Sequence, residues 1–175
     1  IRDVAVTNNG EGILVARSNG KVMFFEPRTQ RRLEFLGHQE KVNSIDISPN
    51  GKYALTGGND YIAYLWSTDT GQIIHSFTHP TRVSKVALDD SGRFAFTADS
   101  QNKSQIWNVQ TGEPVSTLRY FARQRIFTDA EFSKDGKYLL TGSPSRQVYL
   151  WNVEDGSQEE NWPVSYTHLT LPTNP

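Results

Sequence analysis

Tyr64-Leu65-Trp66-Ser67, Gln105-Ile106-Trp107-Asn108 and Tyr149-Leu150-Trp151-Asn152 are three versions of one phrase, each closing on a tryptophan and a small polar residue. The tryptophans stand 41 and 44 residues apart, from 66 to 107 and from 107 to 151. A second marker keeps the same step. Asn50-Gly51-Lys52, Ser91-Gly92-Arg93 and Asp135-Gly136-Lys137 place their glycines 41 and 44 residues apart as well. The three additional residues of the last step therefore fall before Gly136, around Phe121 to Phe127. A fourth, weaker copy comes first: a shift of 41 lays Asn9-Gly10 on Asn50-Gly51 and Phe25 on Trp66.

Each copy divides into four short strands separated by turn residues. In the second copy, Val42 to Ile47 ends at Ser48-Pro49-Asn50-Gly51, and Tyr53 to Thr56 ends at Gly57-Gly58-Asn59-Asp60. Ile62 to Trp66 ends at Asp69-Thr70-Gly71, and Ile73 to Phe77 follows. Proline, asparagine, aspartate and glycine stand where hairpins need preset or left-handed backbone. No apolar stripe of helical period competes. The fold class is all-β, and a period of this length predicts a β-propeller of four-stranded antiparallel blades. The copies run over 1–36, 37–77, 78–118 and 119–163. In the last strand of the fourth, Glu159 replaces Ile74 and Val115, and Trp162 replaces Phe77 and Leu118, so an edge or degraded blade is expected there.

Composition narrows the function classes. The 175 residues carry 18 basic and 19 acidic side chains, a formal net charge of -1, which gives no electrostatic reason to expect nucleic acid or an anionic membrane as partner. No stretch is long and apolar enough to span a membrane as a helix. There are no cysteines, so disulfides, thiolate metal sites and cysteine nucleophiles are excluded. Histidines 38, 75, 79 and 168 match no metal-ligand spacing, and no cofactor is expected.

The repeated phrases, with Gly37-His38 ahead of the second copy, resemble the WD40 family over roughly residues 2 to 162. Departures are visible. His79 follows Thr78 instead of glycine, the fourth copy has Arg123 at the histidine position, and Ser67, Asn108 and Asn152 replace the usual aspartate after tryptophan. The resemblance implies a structural network in which a buried histidine joins a turn aspartate to a hydroxyl and the indole N–H. The matching residues are His38, Asp60, Thr56 and Trp66. In later copies the aspartate position becomes Gln101 and Ser145, while Thr97 and Thr141 keep the hydroxyl. These expectations give one complete network and partial ones elsewhere. A histidine, an aspartate and a hydroxyl also form a nucleophilic triad, but slots that recur and fade along a repeat point to a structural role.

The resemblance also implies contact positions on one face, at the start of the first strand and just before the turn aspartate. These match Lys41, Asn43 and Asn59 in the second copy, Arg82, Ser84 and Ser100 in the third, and Ile126, Thr128 and Pro144 in the fourth. Other features read more plainly. Trp66, Trp107 and Trp151 are packing residues, each burying roughly 150–250 Å², at most about 4–6 kcal/mol. Asp89-Asp90 reads as a solvated turn, and Arg28, Arg31 and Arg32 with Glu26 and Glu34 as a mixed-charge loop. Arg119, Tyr120, Phe121, Arg123 and Arg125 interleave basic and aromatic residues in the lengthened loop, which suits either a partner loop or an ordinary insertion.

Residues 164–175 break the repeat. Val164 to Asn174 resembles the in-frame translation of a sequencing adapter, so 164–175 is read as a non-native tail and 1–163 as an incomplete propeller ring. An open arc of this kind exposes blade faces and invites self-association. The expected function is a non-catalytic protein-protein interaction scaffold, with other proteins or peptides as partners and no metal or catalytic residue. The alternative is an accessory or sensor domain of a larger enzyme, kinase or membrane-anchored protein. The compartment is left open between cytoplasm and bacterial periplasm.

Overall fold

The computed structural model describes residues 1–101, 103–119 and 127–164. Sixteen strands and no helix occur among them, arranged as four antiparallel sheets of four strands in chain order. The first blade holds β1 (Asp3–Val6), β2 (Ile13–Ala16), β3 (Val22–Glu26) and β4 (Arg31–Phe35). The second holds β5 (Val42–Ile47), β6 (Tyr53–Gly58), β7 (Ile62–Ser67) and β8 (Ile73–Thr78). The third holds β9 (Val83–Leu88), β10 (Phe94–Asp99), β11 (Ser104–Asn108) and β12 (Pro114–Ser116). The fourth holds β13 (Asp129–Phe132), β14 (Tyr138–Gly142), β15 (Gln147–Asn152) and β16 (Gln158–Pro163). This is a propeller-type arrangement that does not close a ring.

The turn residues do what their chemistry dictates. Gly10, Gly51, Gly92 and Gly136, one per blade, all sit at φ of 69–70° in the first hairpin. Most other residues would meet Cβ strain in that conformation. The third-hairpin glycines Gly71, Gly112 and Gly156 all sit at φ 72°. In the third blade Asp89 accepts hydrogen bonds from the backbone N–H groups of Arg93 (2.6 Å) and Phe94 (2.9 Å) and from Ser91 Oγ (2.6 Å). Its side chain is buried, so the solvated-turn reading is corrected: Asp89 organises the turn from inside, and only Asp90 faces water.

The core lies between blades. Because side chains alternate across a strand, each sheet has a leading face toward the blade before it and a trailing face toward the blade after it. The first blade's trailing Leu14, Val22, Phe24 and Phe35 pack on the second blade's leading Ile45, Ile47, Ala54 and Trp66. The second blade's Leu55, Ala63, Leu65 and Phe77 pack on Val83, Val86, Ala95 and Trp107. The third blade's Phe96, Ile106 and Leu118 pack on Phe132, Leu139 and Trp151. The repeated tryptophan is the leading-face anchor. Phe35 stacks on Trp66 at 5.0 Å between ring centroids, and Phe77 stacks on Trp107 at 4.4 Å.

One first-strand position also bridges each pair of blades. Asp3 accepts from Ile45 N (2.9 Å), Ser44 Oγ accepts from Val86 N (3.3 Å), and Lys85 pairs with Asp129 (2.6 Å). The arginine cluster resolves into separate local contacts: Arg28 pairs with Glu11 (2.5 Å), Arg31 with Glu26 (3.0 Å), and Arg32 lies over the Phe25 ring. The fourth blade's last strand forms in full, with Gln147↔Pro163 through Leu150↔Glu160 in register, and all six of its residues are exposed.

Candidate partner-binding face

The candidate face rests on a buried frame. Trp66 Nε1–H donates to Thr56 Oγ1 (2.8 Å), Thr56 Oγ1 lies 2.7 Å from His38 Nε2, and His38 Nδ1 lies 2.8 Å from Asp60. Burial pushes His38 below its usual value, against the opposing pull of Asp60. A neutral imidazole completes a one-way chain: indole N–H to hydroxyl oxygen, hydroxyl O–H to Nε2, and Nδ1–H to carboxylate. Asp60 also accepts from Gln39 N (3.2 Å). Every polar group of the four predicted residues is thereby engaged, which buried groups require. The glycine before the histidine has its own reason: a Cβ on Gly37 would lie 2.6 Å from the Trp66 ring.

In the third blade a carboxylate stands near the histidine without a hydrogen bond to it, and the network is partial. Trp107 Nε1–H donates to Thr97 Oγ1 (2.8 Å), and His79 Nε2 lies 2.9 Å from the same oxygen. Gln101, at the aspartate position, is exposed, and the acid is Asp99, fully buried at the end of β10. Asp99 Oδ2 lies 3.7 Å from His79 Nδ1, while Oδ1 accepts from Gln101 N and Lys103 N (both 2.9 Å). The matching residue in the second blade is Gly58. A Cβ there would lie 2.6 Å from Asp60 Oδ1 and 2.7 Å from His38 Nδ1. The two blades thus fill one space from opposite sides of the turn, with Gly58 and Asp60 in one and Asp99 and Gln101 in the other. In the fourth blade Trp151 Nε1–H donates to Thr141 Oγ1 (2.7 Å), and Ser143 and Ser145 bond each other (2.5 Å). Its histidine position, Arg123, lies outside the described residues, as do Tyr120, Phe121, Arg125 and His168.

Above this frame the expected contact positions of the second and third blades meet. Lys41, Asn43, Asn59, Arg82 and Ser84 line one open groove of ≈ 330 Å³. Asn59 and Arg82 continue into a second concavity of ≈ 300 Å³ with Ser100, Glu40, Tyr61 and Thr81. Two local devices place these side chains. Asn43 and Ser84 are the additional residues of β-bulges in β5 and β9, where the register slips between Val42 and Ser44 and, across from Ala98 and Asp99, between Lys85 and Val83. A bulge re-aims the side chain it carries. Asn43 Nδ2 donates to Asn59 Oδ1 (2.9 Å) and, across blades, to Val83 O (2.8 Å). Turn and strand are then tied together, because Asn59 N donates to Lys41 O (2.8 Å) and Ser100 N to Arg82 O (3.0 Å).

Among the described residues neither Lys41 nor Arg82 forms an ion pair, so both cations are available at the groove. Among the described residues, those of the fourth blade do not line it. Pro144 has no N–H to repeat the turn-to-strand bond, Thr128 and Pro144 are exposed away from the groove's lining, and Ile126 lies outside the described residues. Glu40, Tyr61 and Thr81 were not anticipated from the sequence. The signal for Tyr61 is its place directly after the Asn59-Asp60 turn, where it adopts φ 69°. Two larger hollows, ≈ 520 and ≈ 460 Å³, open on the opposite face between the first and second and between the third and fourth blades. The first is crossed by the Arg28–Glu11 pair. No group of three His, Asp or Glu side chains able to hold a metal occurs among the described residues.

Four-stranded antiparallel sheets stacked face to face, three of the four anchored by a tryptophan bonded to a threonine, define a propeller-blade repeat array. The family described as WD domain, G-beta repeat matches two segments of the chain, residues 29–67 and 112–152. Each matched segment starts on or just before the last strand of one blade and ends on the third strand of the next, so a sequence repeat staples two sheets. The chain is similar to a WD repeat-containing protein of Synechocystis sp., 43% identical over 145 residues, covering 82% of this chain and 44% of that protein. It is also similar to a eukaryotic translation initiation factor 3 subunit I of Meyerozyma guilliermondii, 33% identical over 75 residues, 41% of this chain and 22% of that protein. A polyadenylation factor subunit 2 of Cryptococcus neoformans is 30% identical over 67 residues, 38% of this chain and 9% of that protein. The chain spans less than half the length of these relatives.

Proposed function

We propose that this chain is a non-catalytic interaction scaffold that docks a partner protein or peptide on the face carrying Lys41, Asn43, Asn59, Arg82, Ser84 and Ser100. The observation that supports this reading is the convergence of residues from two blades on one continuous groove, with two unpaired cations and carboxamides at its lip. The frame beneath it is rigid, and a rigid groove orders little on binding, so more of the contact energy survives as affinity. His38, Thr56 and Asp60 are engaged by one another and by Trp66, with the His38 imidazole and the Thr56 hydroxyl buried, which argues against a nucleophile presented to a substrate. Relatives named as subunits of larger factors agree with a role in holding proteins together.

The test is selection of a random peptide library on the folded chain, followed by calorimetry of the enriched peptides. Lys41→Glu with Arg82→Glu weakens binding at least tenfold, while Lys52→Glu on the opposite face leaves it unchanged. Enrichment of no peptide, or binding indifferent to the first pair, overturns the reading.

A further inference from the structure

The first concavity of the groove is electrostatically one-sided. Lys41, Asn43, Asn59, Arg82 and Ser84 line it, so it holds two cations and no carboxylate. Basic side chains elsewhere find acids: Lys21 pairs with Glu34 (2.9 Å), Arg31 with Glu26 (3.0 Å) and Lys85 with Asp129 (2.6 Å). Lys41 and Arg82 have no such partner among the described residues. Glu40 lines only the second concavity, which shares Asn59 and Arg82 with the first.

A third donor is fixed by a chain of hydrogen bonds. A backbone carbonyl only accepts, so the contact with Val83 O (2.8 Å) requires Asn43 to present its amide NH2 there. The same nitrogen donates to Asn59 (2.9 Å), which must answer with Oδ1. Asn59 Nδ2 is left without a partner among the described residues. The Ser84 hydroxyl is committed elsewhere, since it donates to Ala98 O (3.1 Å). In the first concavity the uncommitted hydrogens therefore belong to Lys41, Arg82 and Asn59. We propose that this concavity takes an oxyanion carried by the docked peptide, a side-chain carboxylate or phosphate, held between Lys41 and Arg82 and accepting from Asn59 Nδ2. The proposal rests on the docking reading above and adds the chemistry of the occupant. An ionised oxyanion offers only acceptors, which matches a set of free donors, and hydrogen bonds to it are charge-assisted. Glu40 repels the same anion from the second concavity, so the peptide lies with its acid toward Lys41 and a flanking residue toward Glu40.

The test uses peptides selected from the random library on the folded chain, and reads place and charge separately. Backbone and carboxamide chemical shifts of Asn43, Asn59 and Ser84 report whether a peptide occupies the groove, whatever its charge. Calorimetry then runs a double-mutant cycle. Changing the peptide's aspartate or glutamate to the amide weakens binding about tenfold, and Lys41→Gln with Arg82→Gln does the same. The two changes together weaken binding no further than either one, because each removes the same contact. Neither cation has a partner to strand, and unchanged circular dichroism verifies that the glutamine variant stays folded. Phosphoserine in place of the selected acid separates the two sources: tighter binding assigns a phosphate, equal or weaker binding a carboxylate, and each result keeps the oxyanion. Peptides that shift the groove resonances but carry no acid overturn the proposal and leave the docking reading standing. Losses that multiply to about a hundredfold in the double change do the same. Selected peptides that shift only resonances elsewhere, or a selection that enriches none, overturn the docking reading and the proposal with it.

Discussion

Asp46 and the paired carboxylates Asp60 and Asp99 show how single positions set this chain's behaviour. Asp46 on β5 accepts from Leu88 N (2.7 Å) and Ile47 N (2.8 Å). Burial raises it from 3.8 to about 6, with Asp3 adding to the rise, although both backbone bonds and Lys85 pull the other way. A folded value above the unfolded one means that this group's contribution to stability is complete below about pH 4. It is lost as pH rises through about 6, a change of up to about 3 kcal/mol at 1.36 kcal/mol per unit. Urea unfolding at pH 4.5 and 7.5 checks this: Asp46→Asn shrinks the loss of stability on going to the higher pH. For the histidine networks, Thr56→Val strands the Trp66 N–H and the His38 ring together, and costs about 2–4 kcal/mol by the same unfolding measurement. In the third blade Asp99→Ala costs about 1–3 kcal/mol, while Gln101→Ala stays within about 0.5 kcal/mol. Equal costs at the two positions refute the assignment of the carboxylate to Asp99.

The strands carry their message in alternation, and the bulges and close approaches modify it. Val42 to Ile47 reads as a strand on period alone, yet the usefulness of its start depends on the slip that leaves Asn43 unpaired with β6. Gly57 is the complementary case. Its dipeptide with Gly58 reads as a turn, but the structure places both at the end of β6 and packs Gly57 against the third blade. A Cβ there would collide with Val83 Cγ1 and lie 2.9 Å from Val86 Cγ1. Gly57→Ala therefore forces the second and third blades apart and lowers stability by about 1–3 kcal/mol. The expected signature in hydrogen exchange is faster exchange along β9 than along β2. Uniform change across the chain contradicts that placement.

As an array, the molecule has contacts mainly between neighbours, so its stability is distributed as in a repeat protein. The second and third blades have a neighbour on both sides; the first and fourth have one each. In the isolated monomer, amide exchange is slowest in β6, β7, β10 and β11, and fastest in β1 and β16. The expected all-β class, four-stranded blades and open ring are all present. Contact positions carried over by number alone converge on one groove in the second and third blades.

Periodicity was legible because burial imposes it: a tryptophan every 41 or 44 residues and a glycine in each first hairpin are local demands of a sheet and its turns. The Gly37-His38 pair and Thr56 could be placed for the same reason, since each answers to a fixed offset within its own repeat. The carboxylate of the third blade could not. Asp99 replaces Gln101 by entering the same space from a different backbone position, and a register of letters does not record which side chain fills a volume. Nor could the Asp89 turn, or the way the contact positions of two blades share one groove, be read from single copies. They depend on which blade lies beside which, and on bulges whose effect is to turn a side chain toward a neighbour remote in the chain.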